Sequence, residues 1–211
     1  MRSKQLVLGH YDTDKVPFNL MERYDPILAP WVDKEIKLLE IGVYRGGSLL
    51  LWRDYFPQGT IVGIDINPPQ NIEFGERIHL LKGSQTDTKF LTDVTKKIAP
   101  EGFDIIIDDA SHIGELTKIT FWHLFDNHLK PGGLYAIEDW GTGYFDDWPD
   151  GKSFKGSPHN YGMVGFIKEL VDEQGAANLT KKRLDGKMKR VSKFESLLIT
   201  PSVVFVRKTF S

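Results

Sequence analysis

"IKLLEIGVYRGGSLLLWRDYF" (Ile36 to Phe56) decides the fold of this chain. It opens on a strand-like run, Ile36 to Val43, that ends in a glycine turn carrying Gly42, Gly46 and Gly47. From Ser48 to Phe56 the apolar residues take helical spacing, and Pro57 and Gly59 close the segment. A strand that enters a helix through glycines is the opening unit of a parallel α/β sheet.

The same rhythm continues downstream. "TIVGIDI" (Thr60 to Ile66) reads as a second strand and "RIHLLKGS" (Arg77 to Ser84) as a weaker third. "DTKFLTDVTKKI" follows as a helix with Asp87 as its N-cap. "FDIIIDD" (Phe103 to Asp109) is the fourth strand, and "GELTKITFWHLFDNHL" the helix after it, stopped by "KPGG". "GLYAIED" (Gly133 to Asp139) is the fifth strand. Near-continuous hydrophobic strands separated by helices indicate a parallel sheet covered on both faces. "FESLLIT" and "VVFVRK", joined around Pro201 and Ser202, instead predict an antiparallel hairpin at the sheet edge. A parallel α/β sheet ending in such a hairpin is the layout of a Rossmann-like class I methyltransferase: a mostly parallel, seven-stranded sheet.

Two segments lie outside this rhythm. Residues 10–31 read as a loop plus one helix ahead of the first strand. Residues 1–34 are expected to form an N-terminal loop and helix extension, and residues 35–211 the main α/β domain. "WGTGYFDDWPDGKSFKGSPHNYG" (Trp140 to Gly162) is a long connection, rich in glycine and aromatics. Loops of this length in a compact domain are often lids or binding loops, and Tyr144, Phe145 and Trp148 argue against a purely solvated linker.

The 211 residues fit one domain, and 40% hydrophobic residues with 12% aromatics suffice to fill one core. A net charge of -2 is not the basic footprint of a nucleic-acid binder. The one basic run, "KKRLDGKMKR" (Lys181 to Arg190), reads as a solvated face. The count of cysteines is 0, which removes disulfides, zinc–thiolate sites and thiol nucleophiles together. No signal peptide or bilayer-length apolar run is legible, so a cytoplasmic protein without a membrane partner is expected.

In open parallel sheets ligands bind beyond the carboxyl ends of the strands, where glycine lets backbone approach them. Here Tyr44 stands where the middle glycine of a dinucleotide fingerprint would be, which weakens a nicotinamide reading. Asp65 closes the second strand, where a carboxylate can accept both hydroxyls of an adenosine ribose. "GSQTD" (Gly83 to Asp87) supplies small polar groups beside an adenine edge, or simply a helix cap. An adenosyl ligand is the reading that fits the glycine turn and Asp65 together.

Asp108 and Asp109 end the fourth strand, and Glu138 and Asp139 end the fifth. Acid pairs on neighbouring strand ends repel and raise one another's pKa, a conflict that a divalent cation removes. Oxygen ligands with open positions suit Mg²⁺, Mn²⁺ or Ca²⁺ better than zinc. Because successive strand side chains point to opposite faces, both members of a pair need not bind the ion. Asp108 has two other uses: contacting the adenosyl ligand or capping the next helix. His112, three residues beyond Asp109, is a metal ligand, a general base or a helix-start residue without chemistry. A base beside a bound cation would activate an alcohol oxygen toward an electrophile.

At these residues the chain resembles a known family. "LEIGVYRGGSLLLW", "GIDI", "DDASH" and "IEDW-TGY" are similar to the metal-dependent, S-adenosylmethionine-using O-methyltransferases of macrolide sugar tailoring, the mycinamicin-type enzymes. Rhamnosyl O-methyltransferases and the cephalosporin-hydroxylase-like group share the glycine motif. The likeness runs in order from Asp12 to Tyr144, and the D-x-x-H with a later E-D pair is its most specific part. It implies that Asp109, Glu138 and Asp139 hold a divalent metal, Mg²⁺ foremost, and that His112 is the catalytic base. It further implies that Thr13, Glu40, Gly42, Gly46, Ser48, Asp65 and Gln85, with Asp109, surround S-adenosylmethionine. Thr13, in "YDTDK", would belong to an element closing over the cofactor. The remaining histidines, His10, His79, His123, His128 and His159, match no motif and read as structural or surface residues. The macrolide enzymes carry a sizeable N-terminal auxiliary domain that is not expected in this sequence, and a macrolide acceptor is not expected either.

The function expected is methyl transfer from S-adenosylmethionine to a hydroxyl of a sugar or glycosylated small molecule. A homo-oligomer is compatible with it. Two other readings stay open: a catechol-type O-methyltransferase, in which a chelated phenol needs less help from His112, and a non-catalytic module that retains the adenosyl pocket. A nicotinamide oxidoreductase is weaker, because the strand-end acids would repel a pyrophosphate.

Overall fold

A computed structural model describes residues 1–70, 72–73, 75–155, 161–181, 186–187 and 189–210. His159, part of the Trp140–Gly162 connection and part of the Lys181–Arg190 run lie outside the described residues.

The strands are β1 (Lys37–Ile41), β2 (Thr60–Asp65), β3 (Ile78–Lys82), β4 (Phe103–Asp108), β5 (Leu129–Glu138), β6 (Phe194–Ile199) and β7 (Val203–Lys208). They form one sheet in the order β3-β2-β1-β4-β5-β7-β6. β1 to β5 pair in parallel, whereas β7 runs antiparallel between β5 and β6. The expected mostly parallel seven-stranded sheet with its C-terminal hairpin is therefore formed.

Side-chain alternation sorts the strands' apolar residues into two cores. Leu38, Ile61, Ile105, Ile107, Ala136 and Phe205 face α1 (Leu20–Leu28) and α2 (Gly47–Tyr55). Leu39, Val62, Ile106, Tyr135 and Val206 face α3 (Thr88–Ile98), α4 (Gly114–Asn127) and α6 (Gly162–Gln174). Asp87 does cap α3, accepting a 3.0 Å hydrogen bond from the Phe90 amide.

Two boundaries differ from the sequence reading. β5 begins at Leu129 rather than Gly133, so the "KPGG" stretch lies inside the strand. A register shift opposite Phe103 and Ile105 absorbs the proline and glycines there. The long connection also holds structure of its own: a 3₁₀ turn (Trp140–Tyr144), a short helix α5 (Pro149–Ser153) and then α6. Another short helix, α7 (Ala176–Thr180), follows α6.

The sheet order reverses between β1 and β4, which each continue into a loop at the same edge. There the Asp109 amide donates to the Ile41 carbonyl (2.8 Å) and the Gly42 amide to Ile64 (2.9 Å). Gly42 has φ +88°, and a Cβ on it would stand 2.1 Å from the Asp109 carbonyl oxygen. Only glycine lets these two loops close so tightly.

Candidate active site

A cavity of about 1090 Å³ opens over this switch point, lined by Gly42, Ser48, Asp65, Gln85, Asp109 and His112 among others. This is where a twisted parallel sheet leaves a crevice for ligands. Thr13 also lines it, with Asp12, Asp14 and Pro17, and Trp148 lines it from the long connection.

Asp65 spans the glycine turn. Its Oδ2 accepts from the amides of Val43 (2.8 Å) and Tyr44 (3.1 Å), and its Oδ1 from Asn67 (2.7 Å). It thus fixes the loop while lining the cavity. Gln85 is held from behind, its Nε2 3.3 Å from the Thr120 hydroxyl. Glu40 and Gly46 are placed differently: neither is among the lining residues. Glu40 is fully buried beneath the turn and accepts from the Ser48 hydroxyl (2.7 Å) and the Trp52 indole (3.2 Å). Gly46, in the left-handed region, is the N-cap of α2. The structure therefore places Glu40 in support of the glycine turn and α2 rather than on the pocket surface.

On the rim, Asp109, His112 and Asp139 converge. Each offers one ligand atom within 4.8 Å of the others. The Nε2 of His112 lies 3.9 Å from an oxygen of Asp109 and 4.0 Å from one of Asp139. Burial and the nearby Asp109 carboxylate push the Asp139 carboxyl above its ordinary range, against the opposing pull of His112. Two carboxylates and an imidazole at these separations fit a hard or borderline divalent cation after a small inward shift.

Glu138 is not brought into that group. It is 1% exposed and spends both oxygens on its neighbours. The Lys15 ammonium lies 3.0 and 3.1 Å from its two oxygens, and the Tyr24 hydroxyl donates to it at 2.6 Å. Strand alternation is the reason: Glu138 points into the α1 side of the sheet, and Asp139 turns outward with φ +50°. Asp108 likewise points away, buried against the Tyr135 hydroxyl (3.2 Å), and burial pushes its carboxyl up to about 7. Neither of the uses expected for it, ligand contact or helix cap, is the bond it makes with Tyr135.

Lys15 is the feature that sequence reading did not single out. Its ammonium also reaches Asp109 (2.6 Å) and Glu40 (3.4 Å), so it meets acids from the ends of β1, β4 and β5. Burial alone would push the lysine down. Asp109, Glu138 and Glu40 outweigh that and hold it well above the ordinary lysine range, hence charged.

No known protein-family model matches the chain. Mycinamicin VI 2''-O-methyltransferase of Micromonospora griseorubida is 37% identical over 158 residues, which is 71% of this chain and 38% of that protein. Demethylmacrocin O-methyltransferase of Streptomyces fradiae is 39% identical over 158 residues, again 71% of this chain and 38% of the relative. Among solved structures, the MycE methyltransferase from the mycinamycin biosynthetic pathway, in complex with Mg, SAH and mycinamycin VI, superposes with a TM-score of 0.78. It is 31% identical and covers 95% of this chain and 52% of its own. The chain thus spans 38% of the length of these curated relatives. Over the part they share, in sequence and in fold, this chain is similar to the mycinamicin and demethylmacrocin O-methyltransferases.

Proposed function

We propose that this protein transfers a methyl group from S-adenosylmethionine to a hydroxyl of a sugar or glycosylated small molecule, assisted by a divalent cation. The single observation that carries this reading is the convergence of Asp109, His112 and Asp139 on the rim of the cavity that Asp65 and the glycine turn line. The MycE complexes with Mg and SAH support both ligands, and the rhamnosyl and olivosyl acceptors in the names of other relatives support the acceptor class.

Methyl transfer from a sulfonium needs no protein nucleophile, so the chain's task is alignment and activation of the oxygen. Gly42, Ser48, Asp65 and Gln85, which line the cavity with Thr13, would face the adenosyl ligand. Asp109 and Asp139 would hold the cation, with Glu138 behind them as a further donor if Lys15 yields it. When bound, the cation would stabilise the negative charge that develops on the acceptor oxygen. His112 takes the hydroxyl proton on its Nε2. Trp148, whose ring centre is 5.4 Å from that of His112, walls the acceptor side and sheds water from it.

Residues 1–34 are read as an extension over the cofactor site. Among the described residues no helix is long and apolar enough to cross a membrane. A cytoplasmic location and a homo-oligomer belong to the same proposal.

Isothermal titration of S-adenosylhomocysteine, then of Mg²⁺ or Mn²⁺, tests the reading, followed by a glycoside acceptor screen. Binding of the nucleoside together with a metal dependence lost in Asp139→Asn is the expected result. No binding of S-adenosylhomocysteine or S-adenosylmethionine overturns it.

A further inference from the structure

Between Tyr11 and Leu20 the only buried residue is Lys15, in a stretch that reads "YDTDKVPFNL". This stretch supplies Asp12, Thr13, Asp14 and Pro17 to one wall of the cavity. It is folded on itself by short-range bonds: Thr13 to the Tyr11 carbonyl, Phe18 to Asp14, Asn19 to Val16. None of those bonds ties it to the sheet. Tyr11 holds its start to α2 through a 2.9 Å bond to Asp54. At the Asp12 backbone it lies so close to α2 that a Cβ on Gly47 would stand 2.1 Å from the Asp12 carbonyl oxygen. Its attachment to the strand ends is the Lys15 ammonium.

We propose that Lys15 is a positioning residue that fastens the N-terminal wall of the cofactor cavity to the acid set, tying cofactor enclosure to the same carboxylates that serve the reaction. Three observations meet on it. Its side chain is 0% exposed, yet it begins in a segment whose other residues are exposed or half-buried. Its partners, Glu40, Asp109 and Glu138, come from three adjacent strand ends, so one side chain fixes the segment against the whole rim. It also divides Asp109 by function, taking Oδ2 at 2.6 Å while the oxygen Oδ1 faces His112 at 3.9 Å. A buried ammonium satisfied by three carboxylates is lost only at high cost, because its removal leaves those acids uncompensated. In this structure the wall is therefore held against the sheet by that one side chain.

The cofactor half of this inference rests on the methyltransferase reading; the anchoring half does not. Lys15→Met is compared with wild type by hydrogen exchange and by titration of S-adenosylhomocysteine into metal-free protein. The expected result is exchange faster by at least tenfold at the amides of Phe18, Asn19 and Leu20, unchanged exchange in β4, and at least tenfold weaker nucleoside binding. Lys15→Cys provides a chemical rescue, since the chain contains 0 cysteines. Alkylation of that thiol with bromoethylamine rebuilds a lysine-like ammonium and should restore both readouts. Exchange and affinity within twofold of wild type in Lys15→Met overturn the proposal. So does global loss of protection in Lys15→Met, which would make Lys15 a residue of the fold rather than of the wall. Wild-type protein that binds no S-adenosylhomocysteine sinks the methyltransferase reading alone, because the exchange comparison is still read.

Discussion

The Nε2 of His112 stands 4.0 Å from an oxygen of Asp139, and both residues hold left-handed backbone, at φ +52° and +50°. Neither is glycine, so each conformation carries a cost of roughly 1–3 kcal/mol that the surroundings must hold in place. One lies just beyond β4 and the other just beyond β5, and the turn at each position swings its side chain to the rim. Such residues concentrate where geometry serves chemistry.

Replacement of His112 by Ala is expected to lower turnover by about a hundred- to ten-thousand-fold, the usual contribution of a positioned acid or base. S-adenosylhomocysteine binding should change little, because Asp65 and the glycine turn are untouched. Single-turnover rates on a methylatable glycoside, set beside calorimetric binding, separate the two effects. Turnover at the wild-type rate removes His112 as the base.

Asp109 and Asp139 share a small space, and a bound cation would relieve their repulsion. Mn²⁺ or Mg²⁺ should therefore raise the thermal midpoint, by the equivalent of about 2.7 kcal/mol at a hundred times Kd. Asp139→Asn should abolish that gain, and by removing one of two like charges it should not destabilise the metal-free protein. Differential scanning fluorimetry with a metal series and with chelator reads both. An equal metal-induced shift in the variant places the ion elsewhere.

The sheet was legible because its signals are local. The apolar runs of β1, β2 and β4, the glycines after Ile41 and the hairpin at Pro201 each sit within a dozen residues. Asp109 and His112 were legible for the same reason, being three residues apart. The neighbouring choice between Glu138 and Asp139 was not. Period-two alternation says that they diverge, but not which one meets His112. Lys15 was less legible still. In "YDTDKVP" it reads as one more solvated charge, and its partners Asp109 and Glu138 lie 94 and 123 residues away. The helix α6 carried a usable signal, the apolar spacing of Met163, Phe166, Ile167 and Leu170, just beyond the Trp140–Gly162 connection.

That long connection is pinned by Asp150. Its Oδ2 accepts from the Gly114 amide (2.8 Å) and the Met163 amide (2.7 Å), closing the first turns of α4 and α6 with one carboxylate. The residue is 5% exposed, so water cannot replace it. Asp150→Ala should cost about 2–4 kcal/mol, combining two hydrogen bonds to a charged acceptor with two stranded amides. Asp150→Asn retains an acceptor oxygen and should cost less. Urea unfolding monitored by tryptophan fluorescence gives both numbers, and an Ala variant within 0.5 kcal/mol of wild type would show the pin to be dispensable.

Asp25, in α1, does for the chain's start what Lys15 does for the wall. Its Oδ1 accepts from the Ser3 amide (3.0 Å) and the Tyr55 hydroxyl (2.8 Å), and its Oδ2 from the Ser3 hydroxyl. Burial pushes the carboxyl up, but these bonds outweigh it and leave it below the ordinary aspartate range. A depressed carboxyl binds fewer protons in the folded chain than in the unfolded one. Its stabilisation is therefore complete above the ordinary range near pH 4 and is lost as pH falls through the lower folded value. Asp25→Asn should be less stable than wild type at pH 7 by about 1–3 kcal/mol, with the gap narrowing as the pH is taken below about 4. Paired urea titrations from pH 7 downward measure it. A gap that stays constant with pH would assign the loss to shape rather than to charge, and the N-terminal arm would then owe its docking to packing around Tyr24 and Tyr55.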